Sequence, residues 1–234
     1  MPSLKANYHH WTKEKIWTEH GANWSTDWGG PKKQWENFLL PKIKRYLPAG
    51  HLLEIGYGYG RWVPFLLESC RQYTGVDIVP NCRQFTAKKF EGHSSASFLQ
   101  TDGMTLKGIA DASVDFVFSF DSLVHADKAV LESYVDEIGR VLKPGGAAFI
   151  HHSNLKPYSL FFRVVESKKL PLWIKTRLES KYKRQIYSHW RDHTVDARLV
   201  RRRVLKNRMK CEAQILYKWG GFLEIDCITT FSKP

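Results

Sequence analysis

The sequence has few cysteines and no long apolar run. No stretch approaches the roughly 20 consecutive apolar residues of a membrane-spanning helix, and the first residues lack the apolar segment of a signal peptide. The four cysteines have no C-x-x-C spacing and no paired histidine motif, which argues against a zinc site. Carboxylates and histidines show no convincing ligand spacing, so no metal is predicted. These absences predict a cytoplasmic protein with reduced thiols.

Acidic residues are scarce in one block, residues 156–210, which contains 17 Lys and Arg but only 4 Asp and Glu. Its charge of +13 equals the net charge of the whole chain, so the other residues sum to zero. Such a block attracts anionic partners, such as nucleic acid, phospholipid headgroups at a membrane surface or a phosphorylated substrate. The alternative is a solvated helical face without a partner.

Apolar periodicity divides the chain into strands and helices of an α/β domain. Four helices are predicted, over residues 34–47, 61–70, 129–142 and 195–208, and Thr194 is the candidate cap of the last. The predicted strands are residues 51–55, 73–77, 96–100, 114–120, 147–151, 211–218 and 223–231. We expect one domain, made of an N-terminal lid (1–35), a core (36–155), a basic helical insertion (156–210) and a terminal hairpin (211–234).

Three glycines at alternate positions follow the first predicted strand, in the segment Glu54-Ile55-Gly56-Tyr57-Gly58-Tyr59-Gly60. Glycine lets a strand turn sharply and lets a ligand touch the backbone, and the following helix points free N–H groups into the turn. Asp77 ends the second strand 21 residues after Gly56, where α/β nucleotide sites place a ribose-binding carboxylate. Asp77 as a simple turn or cap residue is the alternative.

The glycine segment resembles motif I of the class I S-adenosylmethionine (SAM) methyltransferases, E/D-x-G-x-G-x-G. Three further motifs follow in the family's order: Asp77, Asp102-Gly103 after the third strand, and Leu-Lys-Pro-Gly-Gly (142–146) before the fifth. The resemblance covers about residues 50–152. It implies a Rossmann-like seven-stranded sheet of order 3-2-1-4-5-7-6 with helices on both faces, and SAM as cofactor, with S-adenosylhomocysteine as product. The alternate glycine spacing argues against the G-x-G-x-x-G of dehydrogenases.

The resemblance places Glu54 near the SAM amino group and Asp102 near the adenine, although Asp-Gly is also a common turn pair. Tryptophans near a terminus are rarely left in water, so residues 1–35 are expected to fold back as a lid, with Trp28 touching the cofactor. Ordinary packing of an N-terminal helix is the alternative for this segment. The residues predicted to contact the cofactor are Trp28, Glu54, Gly56, Tyr57, Gly58, Gly60, Arg61, Asp77, Ile78, Asp102, Gly103 and Phe120.

Histidines follow two neighbouring strands, at the sheet edge where α/β folds bind ligands. His125, five residues after the fourth strand, is the first candidate for a general base, because an imidazole accepts protons at neutral pH. Asp121 or Asp127 is expected to orient it, and the alternative for Asp121 is to line the methionine part of SAM. His152 is the second candidate, and only one of His151 and His152 is expected to face the pocket. The alternative for His125 is a helix cap or a bond to a backbone carbonyl.

The acceptor is predicted from short segments that resemble bacterial sugar and polysaccharide O-methyltransferases, namely His-His-Ser-Asn (151–154) and the cluster His189–His193. Aromatic surface with fixed donors suits a sugar ring, and an arginine suits a phosphate. This predicts a saccharide or phosphorylated glycan as substrate. A structural salt-bridge cluster, a tRNA substrate and a non-catalytic nucleotide-binding scaffold are the alternatives. The residues predicted to contact the acceptor are Ser122, His151, Trp190, Arg191 and His193.

Overall fold

A computed structural model describes residues 3–165, 167, 169–174, 176–177, 190–219 and 221–234. Its centre is a sheet of seven strands in the order β3-β2-β1-β4-β5-β7-β6, which confirms the expected order. The first five strands are parallel, and β7 is antiparallel to both β5 and β6. The strands are β1 Ala49–Ile55, β2 Cys70–Asp77, β3 Ala96–Gln100, β4 Val114–Ser119, β5 Leu142–Ser153, β6 Lys210–Tyr217 and β7 Asp226–Ser232.

Eight α-helices among the described residues surround this sheet: α1 Leu4–Trp11, α2 Pro31–Gln34, α3 Leu40–Ile43, α4 Val63–Leu67, α5 Pro80–Lys89, α6 Lys128–Val141, α7 Ser159–Val165 and α8 Ala197–Lys206. A π-helical turn, Trp35–Leu39, joins α2 to α3. Short 3-10 turns make up most of the chain between α1 and α2. No helix in the described part of the chain combines the length and the apolarity that crossing a bilayer requires.

Both faces of the sheet are buried under apolar side chains. Helix α6 begins at Asp127, whose carboxylate accepts a hydrogen bond from the Val130 amide. Its buried side chains recur at helical spacing and join those of α8 in one core cluster. The α2–α3 segment and α4 cover the opposite face. Each fully buried Leu or Val contributes about 1.5–3 kcal/mol, so this two-sided burial holds the strand ends in fixed positions.

The boundaries of several elements differ from the sequence prediction. Helix α4 is shorter than expected because β2 begins at Cys70. The Leu-Lys-Pro-Gly-Gly segment is the extended start of β5 and not a turn before it, and a register shift between Val114 and Phe116 accommodates it. Asp196 caps α8 through the Leu199 amide. Thr194, the expected cap, instead accepts a hydrogen bond from the amide of Lys128.

Candidate active site

A cavity lies at the carboxyl ends of β1, β2 and β4, under the N-terminal segment. Its walls come from the glycine turn, the ends of β2 and β3, the loop after β4 and the N-terminal residues. The residues that line it include Trp11, Trp17, Trp24, Gly56, Gly58, Arg61, Asp77, Ile78, Gly103, Phe120, Asp121, Ser122 and His125. Ligands of open α/β sheets bind at this edge.

The glycine turn allows two close approaches to its backbone. Gly56 has φ +78°, and a Cβ built on it would lie 1.8 Å from Oγ of Ser122. Gly58 has φ +56°, and its Cβ would lie 2.8 Å from the ring of Trp17. Only glycine fits both the left-handed backbone and the space. The turn is therefore shaped to bring another group against the main chain.

Asp77 connects the glycine turn to the end of β2. One carboxylate oxygen accepts a hydrogen bond from the Gly58 amide, and the other accepts one from the Val79 amide, both at 2.9 Å. Burial raises the pKa of Asp77 to about 6, although the two amides oppose this. A carboxylate oxygen has more than one lone pair, so each can still accept a bond from a ligand hydroxyl in the cavity.

Three tryptophans of the N-terminal segment, Trp11, Trp17 and Trp24, form an aromatic lid over the cavity. Their ring centroids lie 5.1–5.8 Å apart, and the Trp17 indole N–H donates to the carbonyl of Trp11 at 2.7 Å. Asn7 of α1 fastens the lid, because its side chain donates to the His125 carbonyl at 2.7 Å and accepts from the Trp190 indole at 2.9 Å. The lid is thus bound to the loop that carries His125.

His125 lines the cavity and has a defined tautomer. Its Nδ1 lies 2.9 Å from the Trp190 carbonyl, which can only accept, so Nδ1 carries the proton. Nε2 then keeps its lone pair, and it has no hydrogen-bond partner among the described residues. Burial, with a smaller contribution from Arg191, lowers the pKa of His125 to about 4. His125 is therefore neutral at physiological pH.

A chain of five ionisable side chains, with basic and acidic groups alternating, continues from the cavity wall into the protein: Arg61, Asp121, His151, Asp226 and Arg191. Arg61 donates to Asp121 at 2.7 Å. Nδ1 of His151 lies 3.2 Å from the carboxylate of Asp121 and accepts a hydrogen bond from the Asp121 amide at 3.3 Å. Nε2 lies 3.1 Å from the Asp226 carboxylate, without the alignment of a hydrogen bond. Arg191 donates hydrogen bonds to both carboxylate oxygens of Asp226, at 2.5 and 2.7 Å.

The charges in this chain stabilise each other's ionised forms. Burial alone would lower the pKa of His151, but the two carboxylates beside it raise the pKa above its usual value. Burial likewise opposes ionisation of both carboxyls. Arg61 and His151 nevertheless hold the pKa of Asp121 well below its usual range, and Arg191 and His151 do the same for Asp226. Asp121 is thus a fixed negative charge in the cavity wall.

Comparison with known proteins shows what the segment that forms most of this cavity is similar to. A family model described as "Methyltransferase domain" matches residues 53–150. The biotin biosynthesis bifunctional protein BioHC of Cellvibrio japonicus is 35% identical over 122 residues, which are 52% of this chain and 23% of that protein. Rat thiol S-methyltransferase TMT1B is 32% identical over 129 residues, 52% of this chain and 50% of the relative. The chain thus spans half or less of these relatives' lengths.

A solved structure shares the whole fold. The N-methyltransferase NodS of Bradyrhizobium japonicum, in complex with S-adenosylhomocysteine, superposes with a TM-score of 0.59 over 87% of each chain, at 15% identity. Residues 53–150 thus match a methyltransferase domain, and the sheet that contains them has the fold of a SAM-binding methyltransferase. SAM is the cofactor that the match and the fold support. These comparisons do not confirm the expected resemblance to sugar O-methyltransferases.

The cavity fits this cofactor. Gly56 and Gly58 place main chain without side chains in the cavity wall, and Asp77 faces the cavity with a carboxylate suited to hydroxyls. The other predicted cofactor residues that line it are Gly56, Tyr57, Gly58, Arg61, Ile78, Gly103 and Phe120. Gly60 lies in the same turn, where Cβ space is taken by Phe90 and Thr86.

Three predicted cofactor residues lie elsewhere. The carboxylate of Glu54 is buried behind the turn and accepts a bond from Tyr73 at 2.6 Å, and burial raises its pKa to about 8. Asp102 turns back onto the amides of Met104 and Thr105. Trp28 packs against Phe38 and Trp219 instead of joining the aromatic lid.

The predicted catalytic and acceptor residues are also divided. Asp121, Ser122 and His125 line the cavity. His152 does not, because its ring points to β7, donating to the Ser153 carbonyl and accepting from Thr229 at 2.7 Å. Burial lowers its pKa to about 4. His151 lies behind the cavity wall, stacked on Phe120.

The cluster expected to hold a sugar does not line the cavity. Arg191 is already paired with Asp226, and His193 is buried against Phe162. Trp190 stacks on His10 at the lid edge. His189 lies outside the described residues.

Sequence reasoning missed Trp11, Trp17 and Asn7, although the density of tryptophans in the first 35 residues pointed to the right segment.

Proposed function

We propose that the protein is a SAM-dependent methyltransferase that acts on a hydroxyl of a small acceptor, with His125 as general base. The observation that carries the proposal is the neutral His125 in the cavity, with its proton held on Nδ1 by a backbone carbonyl and its Nε2 free to accept another. An imidazole presented in this way is suited to take a proton from an acceptor beside it.

The cofactor would be held by the glycine turn and the β2 end. The carboxylate of Asp77 would bind its ribose hydroxyls, and Ile78 and Gly103 would contact the base. When bound, SAM supplies a methyl group on a positively charged sulfur. The acceptor takes this methyl by in-line displacement, and S-adenosylhomocysteine is the leaving group. The main task of this chain is therefore alignment, which contributes roughly 7–11 kcal/mol when reacting atoms are held in order.

A hydroxyl acceptor needs help that a thiol does not. Its proton is held too tightly at neutral pH, so transfer to Nε2 of His125 as the methyl bond forms would increase the rate about 10²–10⁴-fold. With a pKa near 4, the protonated imidazole then returns its proton to water readily. The fixed charge of Asp121 and the hydroxyl of Ser122 lie in the same wall and would orient the acceptor.

The acceptor class we propose is a saccharide. Indole faces of Trp11, Trp17 and Trp24 above the cavity suit the apolar faces of a sugar ring, while Asp121 and Ser122 suit its hydroxyls. The lid also favours a small acceptor over RNA, because Asn7 fastens it across the cavity. A thiol acceptor is the second candidate, since one relative is a thiol S-methyltransferase.

The test is mass measurement of products after incubation with SAM and a panel of saccharides and thiols. A product heavier by one CH₂ unit is expected from a hydroxyl acceptor, and His125→Ala should reduce its turnover about 10²–10⁴-fold. His9→Ala, an exposed histidine on the lid helix, is the matched control and should keep full turnover. Unchanged turnover in His125→Ala would refute the base.

Thiol acceptors separate the two candidates. A free thiol has a pKa of about 8.5 and ionises partly without a base, so His125→Ala should cost far less with a thiol than with a hydroxyl. Methylation of thiols alone would establish the second candidate. Calorimetry that detects no binding of S-adenosylhomocysteine would refute the methyltransferase assignment itself.

A further inference from the structure

The most exposed apolar side chains of the described residues lie together in the basic block. Leu172 is 75% exposed, Leu160 is 69% exposed and Trp173 is 67% exposed, more than any other large apolar side chain there. Val164 and Phe161 add to them on α7. Five such side chains within 14 residues form a concentrated patch, which on a protein surface marks an interaction site.

Helix α7 is anchored to the protein by its opposite side. Phe162 is fully buried with Leu155 and Ile225, and its ring lies 5.0 Å from His193. Leu160, Phe161 and Val164 therefore point outward because Phe162 points inward, not because the helix is detached. The exposed apolar side chains of α7 are therefore a fixed surface of the fold, and Leu172 and Trp173 follow them in the sequence.

Basic residues surround the patch. Residues 156–177 contain six Lys and Arg and one Glu, a net charge of +5. Lys156, Arg163 and Lys169 are exposed beside the apolar side chains. Apolar side chains next to exposed cations are typical of segments that lie in the interface of an anionic bilayer.

We propose that residues 156–165 and 169–174 dock on an anionic phospholipid surface. Leu160, Val164, Leu172 and Trp173 enter the boundary between headgroups and acyl chains, while Arg163 and Lys169 contact the phosphates. The charge of +5 over residues 156–177 complements an anionic phospholipid surface and favours it over the alternatives. A second copy of the chain would bring two faces of charge +5 together. Nucleic acid would attract the cations, but its bases stack on aromatic side chains and would leave the aliphatic Leu160, Val164 and Leu172 without an apolar partner.

The patch lies at the same sheet edge as the cavity. Phe162 contacts His193, and the same short segment carries Trp190, whose carbonyl binds His125. A protein docked through this patch would therefore have its catalytic loop close to the bilayer. The docking does not depend on the acceptor or on turnover.

The test is co-sedimentation of the full chain with vesicles of phosphatidylcholine alone and of phosphatidylcholine mixed with phosphatidylserine. We expect binding to the mixed vesicles, at least tenfold weaker binding to neutral ones, and weakening by salt. Leu172→Ser with Trp173→Ser should reduce binding at least tenfold, and Arg163→Glu with Lys169→Glu should abolish the preference for phosphatidylserine. The matched control is Leu205→Ser, an exposed leucine on α8, with unchanged binding.

Each contrary result overturns the proposal, and two of them identify another occupant. Equal binding by the wild type and the Leu172→Ser, Trp173→Ser variant would exclude the patch. Steeply salt-dependent binding to bulk RNA, without vesicle binding, would assign the basic block to nucleic acid. A dimer in light scattering that this variant abolishes would assign the patch to a second copy. Because the mutated side chains are exposed, an unchanged melting temperature verifies that each variant is folded.

Discussion

The polar strand ends of β4 and β5 lie side by side, but only one of them faces the cavity. Asp121, Ser122 and His125 after β4 line it. The four residues His151–Asn154 at the end of β5 are all buried and are bonded within the protein. The difference arises because β5 is flanked by antiparallel β7 and covered by the segment around Asp192, whereas β4 lies beside the glycine turn. Polar residues at a strand end thus serve either the ligand or the fold.

The largest expected effect tests the buried side of this comparison. Asp226→Ala should reduce the free energy of unfolding by about 3–5 kcal/mol, because it leaves Arg191 and His151 buried without their shared carboxylate. Urea denaturation measures the loss. Glu36→Ala, which removes an exposed pair with Lys32, is the control and should change stability by less than about 0.5 kcal/mol. A loss below about 1 kcal/mol for Asp226→Ala would show that the interactions of Asp226 with Arg191 and His151 do not stabilise the fold.

The pH dependence of stability separates His152 from a catalytic role. Its pKa is about 4 in the folded protein and about 6.5 when unfolded, so the unfolded chain takes up its proton first as pH falls. Stability from neutral His152 is therefore present above pH 6.5 and is lost toward pH 4, by up to about 3 kcal/mol. Neighbouring His151 has the opposite sign, because its raised pKa favours the folded state below pH 6.5.

The measurement compares urea denaturation of the wild type and of His152→Gln between pH 7 and about 4. Glutamine can still bond to Thr229 but has no proton to gain. The variant should therefore lose less stability on acidification than the wild type does, while its turnover at neutral pH stays within about threefold. Parallel pH curves for the two proteins, or a large loss of turnover in the variant, would contradict the assignment of His152 to the fold.

Local patterns predicted the sheet, while long-range contacts determined the rest. Apolar strand runs and alternate glycines are readable over a few residues, so the strands and the cofactor turn were predictable, while the strand order followed from the family resemblance. The pairing of Asp226 with Arg191 joins residues far apart in the sequence, and no local pattern indicates it. Tryptophan density predicted a lid, but not that Trp17 rather than Trp28 would lie over Gly58. Which ring reaches the turn depends on left-handed backbone at Glu19 and His20, an arrangement that nothing in the sequence indicates.

The smallest effect concerns two predicted cofactor residues that the structure places differently. Asp77→Asn should weaken SAM binding about 10–100-fold, since a hydrogen bond to a charged group contributes about 1.5–3 kcal/mol. Trp28→Leu should change it less than threefold, because Trp28 packs on Phe38 and Trp219 and not on the cavity. Calorimetry with S-adenosylhomocysteine measures both. A larger loss for Trp28→Leu than for Asp77→Asn would mean that the lid rearranges around the cofactor. The sequence prediction that Trp28 contacts the cofactor would then be right, although Trp28 does not line the cavity in this structure.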